Sequence, residues 1–391
     1  MKKFLSLILA AIFMFSCAAL VSCSNQDEDV IKIGLLGPYT GDTAQYGLAV
    51  RNGAILYFDA INEAGGINGK KIEYIYYDNK GSDEEAVSAF NRLVSDGVTA
   101  VIGDVLTSNT IAVVGEAYPI NMPLVTASAT APAVTVNADD GTVYTNVFRT
   151  CFIDPFQGEK MADYTNEVFG AKKVAVIYTS GSDYSEGLTN AFVEQAQNLG
   201  MEVVAKEAFS ANDIDFKSQL TNIKNSGAEV VYCPNYYEEV GMIVTQARQI
   251  GLNVPFCGGD GWGEVTKYAS AEDLEGCVYT SSYASGSNEK VTTFEANYVE
   301  KFGKDTLNMF AATSYDAAMV IVEALKVAES KNLTAGSAEY KQAVIDAIRT
   351  GSADIDAITS NGYEFDECNN PIKSAFIIKC SGGEELFDRV Y

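Results

Sequence analysis

"IKIGLLGPYTGDTAQYGLAVRNGAILYFDAI", residues 31–61, passes through three textures. A short apolar run comes first. A loop of small and hydroxyl residues carrying a tyrosine follows, then a helix pattern with one apolar face. "KVAVIYTSGSDYSEGLTNAFVEQAQNLG", residues 173–200, repeats that plan. The parallel extends downstream. "TAVIGDVLTSNTIAVVGEAYPINMPLVTASATAP", residues 99–132, reads strand, polar loop, helix, strand, polar loop, and "AEVVYCPNYYEEVGMIVTQARQIGLNVPFCGGDG", residues 228–261, has the same order. The strand-like runs are "IKIGLLG", "IEYIYYD", "TAVIG", "PLVTA", "KVAVIY", "MEVVAKE", "AEVVYC", "VPFCG" and "GCVYTS". Continuous apolar strands joined by amphipathic helices predict parallel sheets covered on both faces. A plan that occurs twice predicts an α/β protein of two similar lobes, each a parallel sheet flanked by helices. Ligands on open parallel sheets bind beyond the carboxyl ends of the strands. The loops after these strands are therefore expected to line one cleft between the lobes.

Composition narrows the chemistry. The chain has 391 residues, 47% of them hydrophobic, which is enough for two cores. Its formal net charge is −25, from 52 acids and 27 bases. Such a surface repels phosphate backbones, so no nucleic-acid partner is expected. There is no histidine. That removes the commonest general base and zinc ligand, and with them any Ser-His-Asp or Cys-His enzyme. Carboxylate and lysine chemistry stay open.

The two ends carry their own signals. In "MKKFLSLILAAIFMFSCAALVSC", Lys2 and Lys3 precede an apolar run and then small residues, the pattern of a secretory signal. The run ends "LVSC", residues 20–23, which resembles a bacterial lipobox with Cys23 as the lipidated residue. "MFSC", ending at Cys17, matches less well because Met14 stands where leucine is usual. Residues 1–22 then form the signal peptide and residues 23–30 a polar tether. The expectation is an exported protein, lipid-anchored to the outer face of the cell membrane, or to the periplasmic face in a two-membrane cell; the other reading is an uncleaved membrane anchor. No later apolar run reaches the ~18 residues of a membrane span. Residues 291–350 read as largely helical, and "GYEFDECNNPIKSAFIIKC" as a hairpin around Asn369-Asn370-Pro371. Cys151, Cys233, Cys257, Cys277, Cys368 and Cys380 remain. Export permits disulfides. Their long spacings and apolar surroundings predict mostly buried free thiols, with Cys257–Cys277 the candidate bridge. Without histidine or clustered thiols, no metal or cofactor is expected.

The loops supply candidate site residues. Asp104-Val105-Leu106-Thr107-Ser108-Asn109-Thr110 opens a helix, where hydroxyls and free N–H groups suit an anion. Simple N-capping by Thr107 or Ser108 is the plainer reading. Ser128-Ala129-Thr130-Ala131-Pro132, after the next strand, offers the same choice. Together the two loops can clamp one carboxylate. In the other half, "FCGGDGWGEV" carries Asp260 among glycines. Asp-Gly pairs favour tight turns, but a carboxylate facing an anion clamp suits an ammonium. An anion site opposite a cation site describes an α-amino acid zwitterion. Tyr46, Tyr184 and Tyr236 sit in the remaining cleft loops, each an apolar ring with a hydroxyl. Trp262 either narrows the cleft or packs.

From about residue 30 to 390 the chain resembles the periplasmic leucine/isoleucine/valine-binding proteins, the substrate-binding subunits of ABC importers. The matching segments stand in family order: "AQYG", "GGINGKKIE", "VIGDVLTSNT", "TASATAP", "DYSEGL", "YYEEVGMIVTQAR" and "GGDG". The resemblance implies the type I bilobal fold. It also implies a ligand carboxylate on Thr107 and on the loop of Ser128, Ala129 and Thr130. Asp260 takes the α-ammonium, where the leucine binder has glutamate. Tyr46, Tyr184, Tyr236 and Tyr315 (in "ATSYDAA") supply aromatic contacts. Leu106 and the tyrosines leave few polar partners for a ligand side chain, so branched-chain or aliphatic amino acids are favoured. The expected protein is not an enzyme. It is a monomeric, lipid-anchored receptor that captures an amino acid and delivers it to an ABC permease. One lobe comprises residues 31–149 and 284–357, the other 150–283 and 358–391, with hinges near 149–151, 281–284 and 357–361. Two other readings stand beside it. One is a ligand-sensing receptor for a membrane sensor. The other is a hydrolase pairing Asp260 with Asp104, roughly 5–10 Å apart.

Overall fold

All nine strand-like runs form strands in the computed structural model, which describes residues 30–391. The signal-like segment, the lipobox and Cys23 lie outside the described residues. The first sheet has the order β2 (Lys71–Asp78), β1 (Val30–Gly37), β3 (Ala100–Ile102), β4 (Leu124–Thr126), β5 (Val147–Arg149), and every neighbouring pair is parallel. The sequence pattern missed β5, whose three buried residues are too few to show a period. The second sheet has the order β12 (Glu384–Val390), β11 (Phe376–Ser381), β10 (Val278–Ser281), β9 (Phe256–Gly258), β8 (Val230–Tyr232), β6 (Lys173–Thr179), β7 (Glu202–Phe209). Strands β6 to β10 are parallel, and β11 and β12 add an antiparallel edge. Strands β3, β4, β8 and β9 are buried at every position, as a sheet covered on both faces requires.

Helices α1 (Ala44–Glu63), α2 (Asp83–Ser95) and α3 (Thr107–Ala117) connect the strands of the first sheet. Helices α4 (Asp154–Glu167), α5 (Asp183–Asn198), α6 (Lys217–Ser226), α7 (Tyr237–Gln249) and the single turn α8 (Ala271–Leu274) belong to the second. Local chemistry sets several of their starts. Ser82 and Ser182 cap α2 and α5 by accepting the N–H groups of Glu85 and Ser185, and acidic residues fill both first turns. The helical stretch predicted over 291–350 is α9 (Glu289–Phe302), α10 (Met309–Ser330) and α11 (Ala338–Gly351). It returns to the first lobe, where α10 and α9 pack on α1. The chain thus crosses between sheets after β5, after β10 and between α11 and β11.

Two local expectations need correction. The terminal hairpin is β11 with β12, turning at Gly382-Gly383. Around Asn369-Asn370-Pro371 only a single bridge forms, between Phe365 and Pro371, because β10 claims β11 as a sheet strand. The second concerns Cys257 and Cys277, which are free and cannot pair. Cys257 stands opposite Val278 and shares its face of the sheet, with Ile377. Cys277, one residue earlier, lies in the core on the other face with Cys233 and Cys380. Successive side chains alternate faces, so a Cys257–Cys277 bridge would have to pass through the sheet. All six described cysteines are free thiols.

Candidate functional site

The loops at the carboxyl ends of β1, β3, β4, β6, β8 and β9 meet between the lobes. Tyr46, Leu106, Thr107, Ser128, Tyr184, Tyr236 and Asp260 line one cavity there, joined by Val105, Gly261 and Phe310.

On the first lobe, α3 starts without a side-chain cap; its N-cap position is Leu106. Thr107 is therefore not capping. It is 3% exposed, lines the cavity, and its hydroxyl meets no partner among the described residues. The first N–H groups of a helix have no intrahelical acceptor, so this corner presents donors to whatever enters. Ser128 donates its hydroxyl to Val105 O at 2.7 Å, which pins the two loops together. Ala129 and Thr130 do not line the cavity. The Ala129 N–H is used by Thr126 Oγ1 and its carbonyl by Arg149. Thr130 is wholly buried behind the surface, near the Asp154 carboxyl but without a formed side-chain hydrogen bond.

On the second lobe, Asp260 is 2% exposed. Its Oδ1 accepts from Tyr184 Oη at 3.0 Å and from Gln157 Nε2 at 3.2 Å. The Gln157 amide is held in that orientation because its Oε1 accepts from Asp260 N and from Thr280 Oγ1. Among the described residues, Oδ2 accepts nothing. Burial pushes the Asp260 carboxyl up to about 7, opposed by the Tyr184 and Gln157 hydrogen bonds. The glycines around it are dictated by close approach rather than by a turn. A Cβ on Gly258 would lie 1.9 Å from Trp262 Nε1, and one on Gly261 would lie 2.7 Å from the Tyr184 hydroxyl. Trp262 is wholly buried, donates to Cys233 O at 2.8 Å and does not line the cavity. It packs and props the Asp260 loop from behind.

Aromatic rings form the remaining walls. Tyr236 stacks on Tyr184 with centroids 5.0 Å apart, and Tyr46 meets Tyr236 and Phe310 edge-on. Tyr46 also joins the lobes: its hydroxyl donates to Gly261 O at 2.6 Å and accepts from Tyr237 N at 3.2 Å. Tyr237 in turn donates to Asp42 O. The lobes touch, and the space left is small. It amounts to a cavity of about 10 Å³, room for about one water.

Tyr315 stands outside this group, against Tyr57 and Phe294. Five residues along a helix turn about 140° from the starting face, so once Phe310 faces the cavity Tyr315 cannot. Sequence reasoning missed Phe310, Gln157 and Asp154. The Asn308 cap on Phe310 N marks the start of α10, yet nothing local says that this turn meets the cleft. Asp154 opens α4, is wholly buried, and neither carboxyl oxygen has a partner. Burial holds it well above the usual carboxylate range, and the nearby Asp260 adds to this. Asp104 is also buried, bonded to Asn79 and to Val105 N, and does not line the cavity. The acid pair expected of a hydrolase therefore does not face across the cleft: Asp154, the acid near Asp260, lies on the same lobe. Among the described residues, no group of three or more Cys, Asp or Glu is placed to hold a metal, and no helix is long and apolar enough to cross a membrane.

Comparison with known proteins identifies the family. Residues 30–384 match the family model described as periplasmic binding protein. A leucine-, isoleucine-, valine-, threonine- and alanine-binding protein of Pseudomonas aeruginosa is 32% identical over 328 residues, 84% of each chain. The substrate-binding protein LivJ of a branched-chain amino acid transporter from Streptococcus pneumoniae, solved with isoleucine, superposes with a TM-score of 0.82 at 32% identity. That match covers 92% of this chain and 98% of the other. The leucine-binding protein LivK of Thermotoga maritima gives 0.81 at 30% identity, over 92% and 98%.

Proposed function

Because the chain belongs to the periplasmic binding protein family, whose similar members bind amino acids and are not enzymes, we propose that it is the substrate-binding lipoprotein of an ABC importer for aliphatic amino acids, branched-chain ones foremost. The observation that carries this reading is the pairing across one cleft. An unpartnered Thr107 hydroxyl at the start of α3 faces the buried Asp260, whose Oδ2 is free of protein donors. Donors on one side and a carboxylate on the other suit the two charges of an α-amino acid. Val105, Leu106, Phe310 and the tyrosine rings suit an apolar side chain.

Binding in this reading is coupled to motion. The closed cleft holds about one water, so the Tyr46–Gly261 and Tyr237–Asp42 contacts part before an amino acid enters, and reform over it. The three crossovers, near residues 149–151, 281–284 and 357–361, act as the hinge between lobes of residues 31–149 with 284–357 and 150–283 with 358–391. Cys23 carries the anchor, and the closed form docks on a permease.

Calorimetry against isoleucine, leucine, valine, threonine, alanine, glutamate, lysine and benzoate tests the ligand. The expected result is saturable binding of the aliphatic amino acids in preference to the rest. Binding of benzoate but of no amino acid would overturn the zwitterion reading. A Cys23→Ser variant is expected to leave the membrane fraction, and one that stays there removes the anchor.

A further inference from the structure

The crossovers enclose a second hollow, of about 550 Å³, that shares no residue with the cleft. Its walls come from the chain after β10, from the segment after α11 and from the run entering β11. It gathers the hydroxyls of Ser282, Ser287, Thr359 and Ser374 and the ammonium groups of Lys290 and Lys373. Three of its features ask for a negative ligand. Lys373 is half-buried and closes no ion pair among the described residues; its Nζ donates to Thr150 O at 2.9 Å and to Thr359 Oγ1 at 2.7 Å. Burial pulls it down to about 8, opposed by the charge of Asp316. Ser282 is 2% exposed, lines the hollow, and its hydroxyl has no partner among the described residues. The first turn of α9 also lines it, with Asn288 turned back to cap Val291 N at 3.0 Å. The N–H groups and dipole of a helix start favour negative charge.

Of the acids nearby, Glu289 stands in the first turn of α9 but does not line the hollow. Asp356 pairs with Lys290 at 2.5 Å. Asp316 accepts from Ile358 N, Thr359 N, Thr359 Oγ1 and Tyr363 Oη. Glu364, which also lines the hollow, is exposed to solvent. In a chain with 52 acids and 27 bases, the described lining of this hollow holds one lysine without an acid partner and no buried acid.

We infer that this hinge hollow binds a small anion, a carboxylate or phosphate compound, on Lys373, Ser282 and the first turn of α9. Because two of the three crossovers form its walls, its shape changes when the lobes turn. Occupancy there is then coupled to closure of the amino-acid cleft, and the coupling is reciprocal.

The probes are inorganic phosphate and succinate, titrated into the intact protein at an ionic strength held constant with chloride. Phosphorus NMR line width reads phosphate and thermal shift reads both. The expected result is saturable binding of at least one probe. Lys373→Gln weakens it at least tenfold, and Ser282→Ala several-fold. The serine variant guards against a folding artefact, since its hydroxyl holds nothing in the structure. A response that never saturates, or one that both variants leave unchanged, overturns the site. These titrations contain no amino acid, so they stand or fall apart from the transport reading. Isoleucine calorimetry with and without saturating probe then tests the coupling: an equal affinity in both overturns it.

Discussion

At the scale of single residues, Asp260 carries the most. It combines near-total burial, two donors on Oδ1 and a bare Oδ2. Asp260→Asn keeps the shape and the Oδ1 acceptor for Tyr184 but removes the charge. A hydrogen bond to a charged group is worth about 1.5–3 kcal/mol, and each ~1.4 kcal/mol is tenfold in affinity. Binding of the best amino acid is therefore expected to weaken by roughly tenfold to a few hundredfold in calorimetry, with the melting temperature of the free protein little changed. Unchanged affinity would mean that the acid only shapes its loop. A second expectation follows from its titration. Burial raises the free carboxyl to about 7, whereas an ammonium ligand needs the ionised form. Below pH 7 the proton competes with the ligand, so affinity is expected to fall by up to ~tenfold per unit as pH drops from 7 toward 5. The same titration on Asp260→Asn is expected to be flat; an equal slope would place the titrating group elsewhere.

At the scale of elements, the strand–loop–helix unit places the chemistry, and the small residues inside it are structural demands. Strand β9 ends at Gly258, and the buried Trp262 indole lies over that position. A methyl group there would force the indole off Cys233 O and drag the Asp260 turn with it. Overpacking of this kind costs about 1–3 kcal/mol. Gly258→Ala is expected to lower both the melting temperature and amino-acid affinity, unlike Asp260→Asn, which lowers affinity alone. A Gly258→Ala protein that binds as well as wild type would show that the loop adapts. The strands and their helices were legible because continuous apolar runs and amphipathic faces are local properties. The six-residue β11 was read as part of a local hairpin because its partner β10 lies about 100 residues earlier, beyond any local period. The cysteine pairing failed for a related reason: spacing along the chain does not say which face of a sheet a thiol occupies.

At the scale of the whole molecule, charge and burial give the protein an acid-leaning stability. Burial pushes Asp104, Asp260 and Glu264 up to about 7. Each holds its proton more tightly when folded than when unfolded, so its contribution is full below the unfolded value near 4 and is lost as pH rises through about 7. The net charge of −25 acts in the same direction through self-repulsion. The ligand-free protein is expected to melt at a higher temperature at pH 5 than at pH 8. Saturating amino acid should raise the melting temperature more at pH 8, where Asp260 is ionised and ready for an ammonium. A ligand shift that is equal or larger at pH 5 would contradict the ammonium contact.

Two α/β lobes and the set of loops that meet are written in local sequence, because strand direction is set locally and parallel strands send all their carboxyl-end loops to one edge. That was enough to bring Tyr46, Leu106, Thr107, Ser128, Tyr184, Tyr236 and Asp260 to one cavity. The remaining contacts depend on long-range packing. Gln157 reaches Asp260 across 103 residues of chain, and Phe310 arrives from a helix that returns from the other end of the sequence. Ala129 and Thr130 fell behind the surface because their loop spends its groups on Thr126, Arg149 and Asp154. Tyr315 was lost to the rotation of a helix whose phase is fixed by packing against α1. Each of these depends on how separate elements are set against one another. Packing between distant segments fixes that, and no local pattern records it.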